Sequence, residues 1–185
     1  MSVAVLCRRH PGALAGAATP AGLVLRTVCA DRDALPIARL ADAVAAAAAG
    51  QATSSSALRP RGPGLAAELR SRPGRLVEAW LAIVPTADDD GGFGMGLISL
   101  IRGRSANGLR HSIGWVLVHP AARRRGLGRA LVTHACRRAA RLAAHEVWVE
   151  CRADWADAMA FWRSVGFEDR RAKSPVAAGA HQPHE

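Results

Sequence analysis

The sequence contains no tyrosine and a single lysine, Lys173, so nearly all of its 25 basic residues are arginines. Without tyrosine, no phenolic hydroxyl can donate a proton anywhere in the chain. The four cysteines form no CxxC pair, so neither a zinc site nor a disulfide framework is indicated. No apolar run approaches the roughly 20 residues that span a membrane. Aromatic residues make up only 4% of the chain, which offers few platforms for stacking nucleic-acid bases.

The residues that are present suit one folded domain that binds an anion. A chain of 185 residues with 50% hydrophobic residues can fill a single core. The formal net charge is +10, and ten arginines but no carboxylate lie between Asp90 and Glu146. This segment therefore produces a sustained positive potential, suited to nucleic acid, a membrane surface or a phosphorylated cofactor. A merely solvated basic face is the alternative.

The pattern along the chain predicts a leader, one domain and a tail. We expect residues 1–20 to be a flexible leader, residues 21–172 the folded domain and residues 173–185 a flexible tail. The second half alternates strand, helix, strand, helix, which implies a parallel βαβ unit added to antiparallel hairpins upstream. The fold class is thus α/β, with a mixed, mostly antiparallel central sheet flanked by helices. The predicted strands are 23–27, 76–84, 95–101, 109–118 and 147–151, and the predicted helices are 65–71, 128–144, one from Asp31 or Asp33 through Val44, and one from Asp154 to Gly166.

A glycine loop between the third long strand and its helix is the chemical centre of the sequence. Gly126 and Gly128 lack the Cβ atoms that would keep an oxygen from the backbone, and the helix that begins there offers free N–H groups. The loop fails the dinucleotide fingerprint because Leu131 takes the place of the third glycine. A diphosphate suits the site, and a simple tight turn is the equal alternative on these residues alone. Further donors come from Arg123, Arg124, Arg125 and Arg129.

This loop resembles the cofactor loop of the GNAT superfamily of N-acetyltransferases, in which Arg or Gln, two residues, Gly, one residue and Gly precede Ala or Gly. Residues 123–128 match this order, with the alanine one step late at Ala130. Residues 118–120 resemble the family's V-x-P, and residues 158–167 resemble its closing A-x-x-F-Y-x-x-x-G-F segment. The resemblance covers about residues 23–169 and implies a single GNAT-like domain that uses acetyl-CoA as acyl donor.

The resemblance also assigns the cofactor contacts. It implies that the backbone of Val116, Leu117 and Val118 meets the pantetheine and the acetyl carbonyl. It further implies that the pyrophosphate is held by the loop residues Arg123, Arg124, Arg125, Gly126, Leu127, Gly128 and Arg129. The chemistry of the backbone is consistent with these contacts. A strand splayed from its neighbour has unpaired N–H groups, and such groups stabilise a developing oxyanion.

Acetyl transfer to an amine requires a base for the ammonium proton and an acid for the departing thiolate. Glu150 is the candidate general base, since ribosomal-protein N-terminal acetyltransferases, which the chain resembles here, place a glutamate on the corresponding strand. A plain ion pair with Arg152 or another surface arginine is the alternative for Glu150. His111, at the outer end of its strand, and His119, at the loop, are weaker candidates because such histidines are usually solvated.

The acid is where the chain departs from the family. Trp162 stands at the position of the usual tyrosine, and indole N–H cannot serve as an acid, which leaves reprotonation to water or to the thiolate itself. Trp155 likewise stands where the resemblance implies an asparagine, and an indole lacks the carbonyl oxygen with which an asparagine side chain accepts a hydrogen bond. Reduced or altered activity therefore stays open.

The sequence thus predicts an acetyl-CoA-dependent N-acetyltransferase that acts by direct transfer in a ternary complex, with no metal. The acceptor is a small-molecule amine or a peptide N-terminus, selected by loops 51–64 and 85–92 and attracted by Glu78 or residues 88–90. The location is cytoplasmic, no membrane or nucleic-acid partner is expected, and a homodimer is left open. The alternatives are a weak or inactive acyl-CoA-binding module and, less favoured, a basic nucleic-acid-binding protein.

Overall fold

The computed structural model describes residues 3–13, 17–29, 31–49, 76–86, 92–105 and 108–170. Its strands are β1 (Val3–Arg9), β2 (Val24–Thr27), β3 (Leu76–Val84), β4 (Phe93–Ser105), β5 (Gly108–Val118), β6 (Glu146–Arg152) and β7 (Glu168–Asp169). Its α-helices are α1 (Ala34–Ala49), α2 (Leu127–Arg141) and α3 (Ala156–Ser164), and short 3-10 helices lie at Pro11–Ala13 and Pro120–Ala122.

The strands of this described part form one mixed sheet of seven in the order β2-β3-β4-β5-β6-β1-β7. Every neighbouring pair is antiparallel except β5 and β6, which are parallel and are connected through α2. This confirms the predicted mixed sheet with its parallel βαβ unit. No helix within the described ranges is both long and apolar enough to cross a bilayer.

Helices cover the sheet on both faces, and each face has its own apolar core. Helix α1 buries Ile37 and Leu40 against Leu97 and Leu117 on one face. Helices α2 and α3 cover the other face with a larger core. The four-residue spacing of Leu131, Ala135 and Ala139 forms the buried stripe of α2, while Arg137 and Arg141 are exposed. This separation of apolar and charged faces is typical of an amphipathic helix that packs on a sheet.

The leader predicted for residues 1–20 is wrong for β1. Val3–Arg9 lies inside the sheet, paired with β6 along its whole length and with β7 at Leu6 and Cys7. Leu6 is completely buried. Its partners lie more than 140 positions away, at Val149 and Asp169. The local sequence carries no trace of such pairing, so a short apolar run before two arginines is easily taken for a leader.

Arg8 joins this first strand to the end of α3. Its Nη1 atom donates to the carbonyls of Val165 (2.9 Å) and Gly166 (3.1 Å). A cation here satisfies carbonyls that a helix C-terminus leaves without partners. Gly166 is left-handed (φ 80°), and a Cβ at this position would lie 1.8 Å from Arg8 Nη1. The close approach of the guanidinium therefore depends on glycine.

A buried ion pair fixes the connection from β2 to α1. Both carboxylate oxygens of Asp33 accept from Arg26 at 2.6 Å, and one also accepts from the Cys29 amide at 2.7 Å. Burial acts to raise the pKa of Asp33, but the hydrogen bonds from Arg26 and Cys29 outweigh it and lower the pKa below its ordinary value. Helix α1 begins directly after Asp33, at one of the two predicted starts.

Other predictions differ from the structure in detail. Strand β4 runs four residues past the predicted end at Ile101. Asp154 does not cap α3, because its carboxylate pairs with the guanidinium of Arg152 and the residue at the cap is Trp155. The predicted helix 65–71, the loop 51–64 and the tail 173–185 lie outside the described residues.

Candidate functional site

The parallel strands β5 and β6 separate partway along their length. Their pairing ends at Ile113 and Val149, although β5 continues to Val118 and β6 to Arg152. On its other edge β5 stays paired with β4 up to Val118. The described structure therefore contains a cleft that opens between β5 and β6 in the direction of the glycine loop, as expected for a splayed strand.

A bulge in β5 sits where the cleft begins. Between the pairs Leu100 with Ile113 and Ile98 with Val116, β4 advances by two residues and β5 by three. The extra residue reverses the alternation of side chains, so that Ile113 enters the α2 core and Leu117 the α1 core. The bulge therefore lets a nearly continuous apolar run bury side chains on both faces of the sheet.

Ser99 and Gly114, neither of them among the predicted site residues, build this bulge. The buried hydroxyl of Ser99 accepts from the Trp115 amide at 2.9 Å. A Cβ on Gly114 would lie 2.5 Å from Ile101 Cδ1 and 2.8 Å from Ser99 Oγ, so a larger residue here would displace one or both side chains. An isolated glycine within an apolar strand is a signal for a bulge and would have identified the position.

Backbone groups of β5 line the cleft at alternate residues. The amides of Trp115 and His119 donate towards β4, to Ser99 Oγ and to the Met95 carbonyl (2.9 Å). Because backbone groups alternate along a strand, the N–H and C=O groups of Val116 and Val118 point to the opposite side, into the cleft.

The same alternation corrects one predicted contact. The backbone of Leu117 faces β4 together with those of Trp115 and His119, and its side chain is buried in the α1 core. Leu117 therefore offers the cleft neither its backbone nor its side chain. Val116 and Val118 remain as the backbone groups available for a pantetheine chain.

The glycine loop curls at the N-terminus of α2. Arg124 (φ 62°) and Gly126 (φ 83°) are both left-handed, and Gly126 is the N-cap residue of the helix. The first intrahelical bond is from the Ala130 amide to the Gly126 carbonyl at 3.0 Å. The amides of Leu127, Gly128 and Arg129 precede it and have no partner within the helix. Such a turn gathers backbone donors at the positive end of a helix dipole, where a diphosphate binds well.

Nothing crowds the glycines of this loop. No heavy atom of the described residues lies within 4 Å of a Cβ built on Gly126. A Cβ on Gly128 would lie 3.4 Å from the Phe161 ring and 3.7 Å from Val118 Cγ2, which is ordinary contact. It would stand between the end of β5 and helix α3. Gly128 therefore borders the opening that leads from the loop into the cleft.

The four loop arginines are exposed and leave the site positive. Arg123 Nε donates to the Val118 carbonyl at 3.4 Å, and Arg129 Nη2 donates to the Ser164 carbonyl at 3.3 Å. No ion pair found among the described residues involves Arg123, Arg124, Arg125 or Arg129. Their charge is thus available to a phosphorylated ligand.

Glu150 lies one residue beyond the point where β5 and β6 part. It is exposed, on the face opposite the α2 core that holds Val149 and Cys151. Across the sheet it pairs with Val5 of β1. Within the described ranges its carboxylate has no hydrogen bond or ion pair, and Arg152 pairs with Asp154 instead. The plain ion pair considered for Glu150 is therefore not formed.

The two histidines considered as weaker candidates are held by local contacts. His111 is 1% exposed rather than solvated, on the paired part of β5, where its Nδ1–H donates to the Arg110 carbonyl at 2.8 Å. His119 Nδ1 accepts from the Ala121 amide at 3.2 Å and caps the 3-10 helix Pro120–Ala122. The structure does not bring His111 together with Glu150 at the cleft.

Trp162 is a core residue, 6% exposed, in edge-to-face contact with Phe161 (5.2 Å between centroids) and Phe167 (5.1 Å). Trp155 is exposed at the start of α3, and the guanidinium of Arg152 lies 5.6 Å from its ring. The nearby Cys151 is buried, which raises the pKa of its thiol and disfavours the nucleophilic thiolate.

Two groups of acidic residues were expected to attract the acceptor. One lies away from the cleft, and the other is not among the described residues. Glu78 on β3 accepts two hydrogen bonds from Arg138 on α2, at 2.9 and 2.7 Å. This pair fixes the helix on the sheet and neutralises the carboxylate. Residues 88–90 are not among the described residues.

Comparison with known proteins identifies a family. The model described as "Acetyltransferase (GNAT) family" matches residues 61–167. No curated protein is similar enough in sequence to match the chain.

Solved structures share the fold at low identity. A tandem GNAT protein from the clavulanic acid biosynthesis pathway is 20% identical with a TM-score of 0.64, over 90% of this chain and 50% of that one. An acetyltransferase of Trypanosoma brucei is 19% identical with a TM-score of 0.56, over 88% and 96%. An aminoglycoside acetyltransferase from an uncultured soil sample, in complex with sisomicin, is 16% identical with a TM-score of 0.58, over 88% and 97%. The chain spans about half the length of several structures it matches, at 47% and 50% of two of them.

Proposed function

The chain belongs to the acetyltransferase (GNAT) family, and from this membership we propose that it moves the acetyl group of acetyl-CoA onto a primary amine by direct transfer in a ternary complex. The acceptor is a small-molecule amine or a peptide N-terminus. The family generally uses acetyl-CoA as acyl donor, so the first test of the proposal is whether the residues of this chain fit that molecule.

The residues at the glycine loop fit coenzyme A. Open space above Gly126 and the amides of residues 127–129 suit the diphosphate. The exposed arginines that flank them suit its 3′-phosphate. The cleft between β5 and β6 suits the pantetheine chain, with Val116 and Val118 as the backbone partners. When bound, acetyl-CoA supplies a thioester whose carbonyl carbon accepts the amine and whose sulfur departs as thiolate.

Glu150 acts as the general base in this proposal, and its position is the observation that carries it. Its exposed carboxylate lies where the cleft opens, on the face away from α2, so an amine that approaches from that face meets it. Removal of the ammonium proton, directly or through water, produces the lone pair that the attack requires. The free carboxylate has no partner within the described ranges that would neutralise it.

The chain supplies no acid at the position where the family has tyrosine, because Trp162 is an indole packed in the core. A thiolate with a pKa near 8.5 in its unperturbed form is a tolerable leaving group, so protonation by solvent suffices. Cys151 does not compete as an acyl carrier, because burial disfavours its thiolate. The acetyl group therefore moves directly from the thioester to the amine, because the thiolate can leave unaided and Cys151 does not form an acyl-enzyme.

The test is thiol release from acetyl-CoA with a panel of primary amines. We expect Glu150→Gln to lower kcat by about 10²- to 10⁴-fold with the KM for acetyl-CoA unchanged. Asp42→Asn, which alters an exposed carboxylate on α1, is the control and should retain full activity. Release that Glu150→Gln leaves unchanged would remove Glu150 from the mechanism.

A catalytically silent acyl-CoA-binding module is the second candidate, and the replacement of tyrosine by Trp162 favours it. Trp162→Tyr is a poor test of this candidate, because the new hydroxyl would enter an apolar core. Calorimetry that detects acetyl-CoA binding, together with no thiol release across the amine panel, would select the module over the enzyme.

A further inference from the structure

We propose that the acceptor amine carries a carboxylate, which Arg110 binds on the open face of the sheet beside Glu150. This inference rests on the proposed function, because Glu150 marks where the amine reacts. The Arg110 subsite consists of Arg110, Trp148, Glu146 and Arg170.

The subsite and Glu150 lie on one face of the sheet. Glu146, Trp148 and Glu150 alternate along β6 with residues buried on the α2 side. In the register of the sheet, Arg110 of β5 is paired with Glu146, and Ser112 with Trp148. Side chains of directly paired residues share a face. An acceptor bound beside Glu150 on this face therefore has Trp148 as a neighbour two residues along β6.

Trp148 holds the cations of the subsite in place. The guanidinium carbon of Arg110 lies 4.5 Å from the centroid of the Trp148 ring, and that of Arg170 lies 4.8 Å away. The indole Nε1–H donates to Glu146 Oε2 at 2.8 Å. Stacking on an indole leaves the in-plane N–H donors of a guanidinium free to grip a carboxylate with two hydrogen bonds.

Arg110 is the cation of this subsite that lacks an anion. Glu146 is already engaged by Arg170 at 3.1 Å and lies 3.8 Å from Arg9. Arg110 has no hydrogen bond or ion pair from its side chain within the described ranges, and its Nε is buried without a partner. A half-buried guanidinium in this condition is costly unless an anion pairs with it. A carboxylate on the acceptor provides that partner.

The spacing selects the acceptor class. Trp148 and Glu150 are two residues apart on β6, which places them about 7 Å from one another along the strand. Between them the facing strand offers only the small residues Ser112 and Gly114. The inferred acceptor therefore has its amine and its carboxylate at opposite ends of an extended chain, as in an ω-amino acid. Coupling between the carboxylate and Arg110 would act on acceptor binding and not on the chemical step.

Two probes of equal length separate the carboxylate from the amine: 6-aminohexanoate and hexylamine. We expect kcat/KM for 6-aminohexanoate to exceed that for hexylamine by about 10- to 100-fold, the range of a charge-assisted bidentate contact. Arg110→Gln should remove this preference by raising the KM for 6-aminohexanoate, while kcat, the KM for acetyl-CoA and the rate with hexylamine are unchanged. Arg110→Lys should restore part of the preference.

Arg102→Gln is the matched control. It removes the same charge from Arg102, an exposed residue of β4. Arg102 is paired with His111, the neighbour of Arg110 on β5, so it lies on the face of the sheet opposite the Arg110 subsite. Equilibrium dialysis of 6-aminohexanoate measures the subsite without turnover. Binding that depends on Arg110 but not on Arg102, with no turnover of either amine, would uphold the subsite and overturn the proposed function. Turnover of both amines with equal kcat/KM, unaffected by Arg110→Gln, would uphold the function and overturn the subsite. Neither binding nor turnover of 6-aminohexanoate would overturn the subsite, and thiol release with the amine panel would then decide the proposed function separately.

Discussion

Gly128→Ala should separate the stability of the protein from its affinity for acetyl-CoA. The new Cβ would be in ordinary contact, 3.4 Å from the Phe161 ring and 3.7 Å from Val118. Alanine also forms helix better than glycine, by about 0.5–1 kcal/mol. We therefore expect unfolding to require slightly more free energy, with a rise in Tm of about 1–4 °C.

Affinity should change in the opposite direction. The methyl group would occupy the opening between β5 and α3 and push a bound diphosphate off the backbone amides. Loss of one hydrogen bond to a charged group, about 1.5–3 kcal/mol, weakens binding by about 10- to 150-fold. Isothermal titration calorimetry with acetyl-CoA measures the affinity, and thermal unfolding monitored by circular dichroism measures the stability.

A matched pair of glycines provides the control. Gly126 and Gly22 are both left-handed, with φ of 83° and 78°, and neither has a heavy atom within 4 Å of a built Cβ. Alanine at either position should cost about 1 kcal/mol of stability. Only Gly126→Ala should weaken the binding of acetyl-CoA. A stable Gly128→Ala protein with unchanged affinity, or equal affinity in the two controls, would refute the assignment of the loop.

Three further predictions concern the rest of the molecule. Asp33→Asn should destabilise the fold by about 3–5 kcal/mol, because it breaks a buried ion pair with Arg26. Because folding lowers the pKa of Asp33, its contribution is complete above the ordinary aspartate pKa and is lost as the pH falls through the lower folded value, so urea titrations of parent and variant should converge in acid. Gly166→Ala should displace Arg8 and cost about 1–3 kcal/mol, and Arg8→Ala combined with it should cost less than the two single changes together. Cys151→Ala should retain thiol release, and its loss in a folded variant would point to an acyl-enzyme.

Features with a strong local pattern could be predicted from the sequence. The amphipathic spacing of α2, the apolar run of β5 and the glycines at 126 and 128 each depend on neighbours within a few residues, and the structure places all three as expected. The order strand, helix, strand also predicted the parallel pairing of β5 and β6. Short-range physics was sufficient for these elements because their signals do not depend on distant partners.

Features that depend on distant partners could not be predicted. The pairing of Val5 with Glu150 and the stacking of Arg170 on Trp148 join residues that the local sequence does not relate. The start of α3 was missed for a local reason: the carboxylate of Asp154 pairs with Arg152, and Trp155 is the residue at the cap.

The place of β1 between β6 and β7 has a consequence for biosynthesis. Residues 3–9 leave the ribosome long before their partners at residues 146–152 exist. At a translation rate of roughly 5–20 residues per second, this nascent strand waits roughly 7–30 s with both edges unpaired. Until β6 is made, the growing polypeptide exposes an apolar ribbon that nascent-chain chaperones are suited to shield. The protein should therefore depend on such assistance during translation more than its modest size suggests.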